Sequence, residues 1–255
     1  MISRDRGIVL RTLKLGETSL IFSVLTPAHG RVRLVAHGAR SARSRWAGIL
    51  QPGNEIDLVY FLRPGRDLGH AREATLVRAR LAGLRHLDTI GVGWAVLELL
   101  ERLLPEGVPE AWILEDAGQA FDALWGCVRR ESALLLLVAF ELRLLSRFGH
   151  AGPLDRCGSC GTTQGQGWLE VHHATRRCAH CGRAGMRLGE DALGLLTRLV
   201  RTPWDPEVDA EPAARRQIAV AVHRLCEVHL NGYRVPRGLV FLRQGTDSAT
   251  SPPPP

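Results

Sequence analysis

Short alternating runs of apolar and polar residues fill positions 1–80, and the period then lengthens to that of helices. Residues 7–13, 19–26, 31–37 and 55–61 are β-branched or period-two segments, which predicts strands. Turn signals separate them at Leu15-Gly-Glu17, Thr26-Pro-Ala-His-Gly30 and Gln51-Pro-Gly-Asn54. A fifth strand is expected over 72–78. Five short strands in so little chain predict a small closed barrel of the OB type over residues 1–80, although an SH3-like barrel would give much the same pattern.

After Leu81, apolar residues recur at three- and four-residue intervals. Asp88 can cap a helix carrying Ile90, Trp94, Leu97, Leu100 and Leu104, and Pro109 opens a second with Ala117, Ala120, Phe121, Leu124, Trp125 and Val128 on one stripe. Ser132 starts a third, leucine-rich on every side and so expected at the centre of its domain, which ends at Phe148-Gly149 before Pro153. Helices resume over 190–201 and 211–230, where Asn231-Gly232 is a stop signal. Residues 81–244 therefore read as an all-helical domain holding a cysteine-rich insert at 153–188, and the fold class is α+β. The Ser/Thr/Pro-rich end, 245–255, reads as a disordered tail.

Charge sharpens this division. Residues 1–80 hold 14 Lys and Arg against 6 Asp and Glu, a net of +8, whereas 81–255 hold 19 against 20. Arginine-biased composition explains 32 Arg to a single lysine, Lys14, but not why acidic residues are scarce only at the N-terminal end. A compact cationic segment suits a polyanion, of which nucleic acid is the commonest. The longest apolar run, 133–140, is followed by Glu141 and Arg143, far short of the about 20 residues of a membrane span. Met1-Ile-Ser-Arg-Asp-Arg-Gly7 leads straight into a strand pattern without an apolar signal region, so a cytoplasmic protein with no membrane partner is expected.

The candidate nucleic-acid contacts cluster in 30–48. Arg31 and Arg33 alternate with Val32 and Leu34, so one face of that strand is cationic and the other enters the core. The loop that follows combines Arg40, Arg43 and Arg45 with Trp46. Arginines supply phosphate contacts, and an aromatic in such a loop either stacks on a base, worth about 1–3 kcal/mol without sequence preference, or folds back over the barrel mouth. Arg63, Arg66 and Arg72 extend the track or belong to a solvated hairpin. Phe22, Tyr60 and Phe61 lie in strands and read as core.

Cys157-Gly-Ser-Cys160 and Cys178-Ala-His-Cys181 form C-x2-C-x17-C-x2-C, the spacing of a zinc site. Two intervening residues let a tight turn aim both thiolates at one ion, and Gly161 and Gly182 permit the positive φ that brings N–H groups toward sulfur. Four thiolates close the tetrahedron and leave no position for water, so one structural Zn2+ is expected. Arg156, Arg176, Arg177, Arg183 and Arg187 would offset the site's negative charge or touch phosphates. His172, His173 and His180 read as surface residues, and Cys127 and Cys226 as core.

These pieces, in this order, resemble the bacterial RecO family of recombination mediators. The resemblance rests on Gly7-Ile-Val-Leu-Arg11, Gly16-Glu17, Leu25-Thr-Pro-Ala-His-Gly30, Val35-Ala-His-Gly-Ala-Arg40 and Leu50-Gln-Pro52. It continues through Asp67-Leu68 to Glu73, Phe140-Glu-Leu-Arg-Leu-Leu145, Gly149 and the cysteine pairs, covering about residues 3 to 235. Ala174-Thr-Arg-Arg177 departs from it, standing where the family often has a glycine pair. The resemblance implies an N-terminal OB-fold, a helical domain with a zinc insert, and binding to single- and double-stranded DNA. It further implies annealing of complementary strands, work with RecR, contact with single-strand-binding protein, and loading of RecA in the RecF pathway of DNA repair at the bacterial nucleoid.

No P-loop, G-x-S-x-G, H-E-x-x-H or paired acidic metal cluster is present, so no enzymatic activity is expected. An RNA-binding or ribosome-associated zinc protein is the alternative, since OB-folds also bind RNA.

Overall fold

The structure, a computed structural model, describes residues 2–63, 65 and 68–239. The tail expected at 245–255 lies outside the described residues. The chain divides into two compact units, Met1–Asp122 and Ala123–Pro255.

Five strands open the first unit: β1 (Ile2–Leu15), β2 (Ser19–Thr26), β3 (Gly30–Ala36), β4 (Asn54–Phe61) and β5 (Leu68–Ala79). They close a barrel in the order β1-β2-β3-β5-β4, every pairing antiparallel except β3 with β5. This is the expected OB arrangement. β1 serves both neighbours because it is long and bent: residues 2–8 pair with β4, residues 8–15 with β2, and the register slips between Val9 and Arg11. The period-two pattern fills the interior with Val9, Phe22, Val24, Val32, Leu34, Ile56, Leu58 and Tyr60. Gly30 closes the β2–β3 turn at φ +63, and a Cβ there would sit 1.9 Å from the carbonyl oxygen of Val108. Only glycine admits both the turn and that close approach.

Residues 38–48 fold back onto the barrel. Trp46 is 4% exposed among the core residues, and its Nε1 donates to the carbonyl of His37 at 3.2 Å. Of the two roles considered for this tryptophan, the structure therefore selects the packed one; a ring held in the core presents no free face to a base.

Two helices belong wholly or mainly to the same unit, α1 (Leu87–Leu103) and α2 (Ala111–Gly126). Both start slightly away from the expected positions. His86 occupies the α1 N-cap and Asp88 falls in the first turn, where its charge still favours the helix dipole. Helix α2 begins two residues beyond Pro109. The buried α1 face runs through Val92, Gly93, Val96, Leu97 and Leu100, which leaves Trp94 on the opposite side, 44% exposed. On α2 the stripe holds from Ala117 to Leu124; Trp125 is exposed and Val128 lies past the helix end.

In the second unit α3 (Arg130–Arg147), buried on nearly all sides as expected, packs with α4 (Glu190–Arg201) and α5 (Pro212–His229). Its one fully buried acid, Glu141, accepts from the Tyr233 hydroxyl at 2.6 Å and lies 3.3 Å from His223 Nδ1. Burial of a carboxylate is costly without such partners. Cys127 and Cys226 are core residues, and burial pushes the Cys127 thiol up to about 11. Between α3 and α4 stands a small antiparallel sheet, order β7-β6-β8, from β6 (Gly167–Glu170), β7 (Thr175–Cys178) and β8 (Met186–Leu188). No helix among the described residues is long and apolar enough to cross a membrane.

Packing rather than base stacking by Trp46 has a measurable consequence. Trp46→Ala should lower unfolding stability by about 3–5 kcal/mol, the usual cost of deleting a buried aromatic, read as a shift of the urea midpoint; an unshifted midpoint would show a ring that contributes nothing to the core.

Candidate nucleic-acid interface and metal centre

The cationic face expected on β3 is neutralised within its own unit. An isolated bridge joins Arg31 to Glu106, and the N–H of Gly107 donates to the Arg31 carbonyl at 3.0 Å, so the segment after α1 lies along β3. Arg31 Nε donates to the Leu104 carbonyl at 2.9 Å, and its Nη1 lies 3.5 Å from Glu101 and 3.2 Å from Glu106. Arg33 pairs with Glu106 at 2.9 Å. Arg80, nearly buried, joins Glu55 and Asp122 and donates to the Gly118 carbonyl. Residues 81–122 carry 8 Asp and Glu against 2 Arg, so the compact unit nets +2 rather than +8.

Arg4, Arg11 and Lys14 of β1 are exposed, as are the arginines of the 38–48 loop and its surroundings, where the other expected contacts lie. Arg40 is exposed, but its Nη1 donates to the carbonyls of Gly16 and Glu17 at 2.9 Å and its own N–H donates to Thr18, which pins the loop to the β1–β2 turn. Arg43 is exposed. Arg45 lies over the Trp46 ring, 4.9 Å from its centroid, and donates to the Arg72 carbonyl at 2.6 Å. Arg63 is exposed near Phe61, 5.9 Å from that ring's centroid. Arg66 lies outside the described residues. Arg72 is exposed at a register shift of β5, where Tyr60 pairs with Ala71 and Val59 with Glu73.

The Cys157, Cys160, Cys178 and Cys181 sulfurs all lie within 4.8 Å of one another and could hold a metal ion. Local backbone builds the first pair: Gly161 takes φ +75 and donates to the Cys157 carbonyl, and Cys157 is bridged to Arg176 of β7. The second pair turns differently from the sequence expectation. Gly182 does not adopt positive φ; its N–H and that of Cys181 both donate to the Cys178 carbonyl, and the left-handed residues are Gly185 and, unusually, Ala174 at φ +44. Ala174 thus stands, at a steric cost of roughly 1–2 kcal/mol, where the turn into β7 favours glycine.

Electrostatics prepare this cluster for a cation. Burial opposes the Cys157 thiolate, but N–H groups of Cys160, Ser159 and Cys178 outweigh it and bring its pKa down to about 6. The N–H of Cys181 likewise lowers Cys178. Hydrogen bonding to Cys160 and Cys178 drives Cys181 the other way, up to about 12. Four sulfurs so close cannot all ionise without a positive ion among them. The neighbouring arginines are mainly structural: Arg176 is fully buried and donates to the carbonyls of Asp155 and Thr163, and Arg177 binds Glu170 and Ser159. Arg156 pairs with Asp155, Arg183 lies 5.9 Å from the Trp168 centroid, and Arg187 is exposed. His172, His173 and His180 are exposed outside the cluster.

Comparison with known proteins covers nearly the whole described chain. The family model described as "Recombination protein O N terminal" matches residues 1–80, and "Recombination protein O C terminal" matches 84–237. A DNA repair protein RecO from Streptomyces coelicolor is 32% identical over 252 residues, covering 94% of this chain and 97% of that protein. One from Frankia casuarinae is 33% identical over 258 residues, covering 95% and 99%. A more distant one, from Geobacter metallireducens, is 28% identical over 251 residues, covering 95% and 97%. With both family models matched in order, and with the barrel and four-cysteine cluster in place, the chain belongs to the RecO family of DNA repair and recombination proteins.

Proposed function

We propose that this protein is a non-enzymatic recombination mediator that binds single- and double-stranded DNA, anneals complementary strands and, with RecR, loads RecA onto single strands in the RecF pathway. The observation that carries the reading is a closed five-stranded barrel that exposes Arg40, Arg43 and Arg45 on the loop anchored to it, in a chain of the RecO family. Arg43, Arg45, Arg63 and Arg72 are the phosphate contacts, with Arg40 holding the loop in place. Arg31 and Arg33, paired with carboxylates, are assigned a structural role. Base contacts without sequence preference then come from the strand settling against the loop rather than from Trp46.

The cysteine cluster holds one Zn2+ through Cys157, Cys160, Cys178 and Cys181. Its closed all-sulfur shell supplies cross-linking rather than a reactive position, tying the 157–161 turn to β7. Protein contacts fall to the helical part. A groove of about 260 Å3 between α3 and α5 is lined by Leu134, Leu135, Val138 and Ala219 together with Arg215, Arg216 and a single acid, Glu131. It suits a short acidic peptide with an apolar anchor, and we assign it to the tail of single-strand-binding protein. These roles place the protein in the bacterial cytoplasm at the nucleoid.

Oligonucleotide affinity should fall steeply with salt. For single strands each phosphate contact contributes about 0.7 to the slope of log affinity against log salt, so Arg43→Ala with Arg63→Ala should lower that slope by about 1.4; an unchanged slope would remove both residues from the interface.

Zinc analysis should return one ion per chain, retained at neutral pH and lost on acidification, because protons compete with the metal for the four thiolates. Cys157→Ser with Cys160→Ser should lower the melting temperature and leave DNA affinity per folded molecule unchanged. Lost affinity at unchanged stability would overturn the structural assignment.

Annealing of complementary strands without ATP separates the mediator from the RNA-binding alternative. Fluorescence-monitored pairing should accelerate for DNA strands; acceleration confined to RNA pairs would favour the alternative.

A further inference from the structure

Two histidines meet where the barrel strands end. Val35 of β3 and Phe61 of β4 both pair with His70 of β5, and His37 follows directly on β3. The two rings stack with centroids 5.5 Å apart and planes 19° from parallel, and His37 Nε2 lies 3.4 Å from His70 Nδ1. In such a pair one nitrogen donates and the other accepts; one added proton supplies a further N–H and a positive charge.

The surroundings define what this pair can bind. An open cleft of about 290 Å3 is lined by His37, Arg45, Trp46, Ala71, Arg72 and Glu73. The register shift in β5 leaves both Arg72 and Glu73 exposed, and bulges of this kind re-aim side chains beside binding sites. Two main-chain anchors hold the wall, Trp46 Nε1 on the His37 carbonyl and Arg45 on the Arg72 carbonyl. Two guanidiniums against one carboxylate make the cleft unfavourable for a metal cation and favourable for an anion.

We propose that His37, backed by its contact with His70, forms with Arg45 and Arg72 a phosphate subsite for single-stranded DNA at this end of the barrel. The inference rests on the DNA-binding reading above and names where and how one phosphate is held. The charged groups that line the cleft with His37 are Arg45 from the loop and Arg72 and Glu73 from β5. A bound phosphodiester favours the protonated pair, so strand binding takes up a proton, and acid strengthens binding.

The test uses the full chain and a fluorescein-labelled oligo-dT, with anisotropy titrations at constant ionic strength between about pH 6 and about pH 8. Affinity of the unaltered protein should fall by at least about fivefold as the pH rises over that range. His37→Gln with His70→Gln should bind more weakly at the acid end and lose the pH dependence. Arg72→Ala should weaken binding across the range while keeping the dependence. Circular dichroism and urea midpoints establish that each variant is folded. If the histidine variant does not fold, Arg72→Ala decides: unchanged affinity overturns the subsite. Unaltered binding by a folded histidine variant also overturns the subsite while leaving DNA binding intact. Absence of oligo-dT binding by the unaltered protein at every pH removes the DNA-binding reading and the subsite with it.

Discussion

The pairing of Arg31 and Arg33 with Glu101 and Glu106 decides where positive charge remains on this molecule. Without it the β2–β3 side of the barrel would be the obvious cationic surface. The segment 104–108 instead lies against β3, its approach permitted by Gly30, and its Glu106, together with Glu101 of α1, meets the strand's arginines. Partly buried ion pairs of this sort persist because separating them would leave a desolvated charge. Exposed basic residues remain on β1, in the 38–48 loop and at the shifted edge of β5, and the proposed DNA contacts and the histidine pair fall in the last two.

That loop could not present arginines usefully if it were mobile. Trp46 supplies the anchor by entering the core, and its indole N–H fixes the main chain of His37. Arg40 ties the other end to the β1–β2 turn, and Arg45 reaches the Arg72 carbonyl at a point where the β4–β5 ladder is interrupted. A tryptophan in a basic loop thus acts as an anchor, and in the proposed DNA-binding role it would contribute through preorganisation by holding the arginines in register. Long cationic side chains that start from a fixed backbone lose less conformational entropy on contacting a phosphate than those on a free loop.

The barrel was legible in the sequence because its strands are short β-branched or period-two runs and its turns carry glycine and proline. The four-cysteine cluster was legible from spacing alone, since ligand geometry is local. Interactions between distant parts of the chain were not. Nothing near Arg31 announces that Glu101 and Glu106, about 70 positions later, will meet it. The β5 irregularity at Arg72 leaves no mark except two adjacent polar residues. Trp94 and Trp125 were placed on buried stripes because a large aromatic scores as apolar wherever it falls, while the real α1 face is set by small residues such as Gly93 that admit Leu81, Leu84 and Phe121. The strands of the cysteine insert, only three or four residues long, are too short to show a period.

Internal neutralisation also bears on how a mediator works. In the proposed mediator, a compact unit of net +2 with Arg31 and Arg33 paired internally would grip a strand through fewer phosphates, and the counterion release that drives such binding scales with their number. Few contacts mean short residence and easy exchange. A protein proposed to bring complementary strands together, and then to surrender one of them to a recombinase, needs that reversibility more than it needs tight binding. A β3 face with its arginines unpaired would raise affinity and slow release. On this argument Glu101 and Glu106 would contribute to the proposed function: by pairing with Arg31 and Arg33 they would hold two arginines out of the DNA interface and keep a bound strand exchangeable.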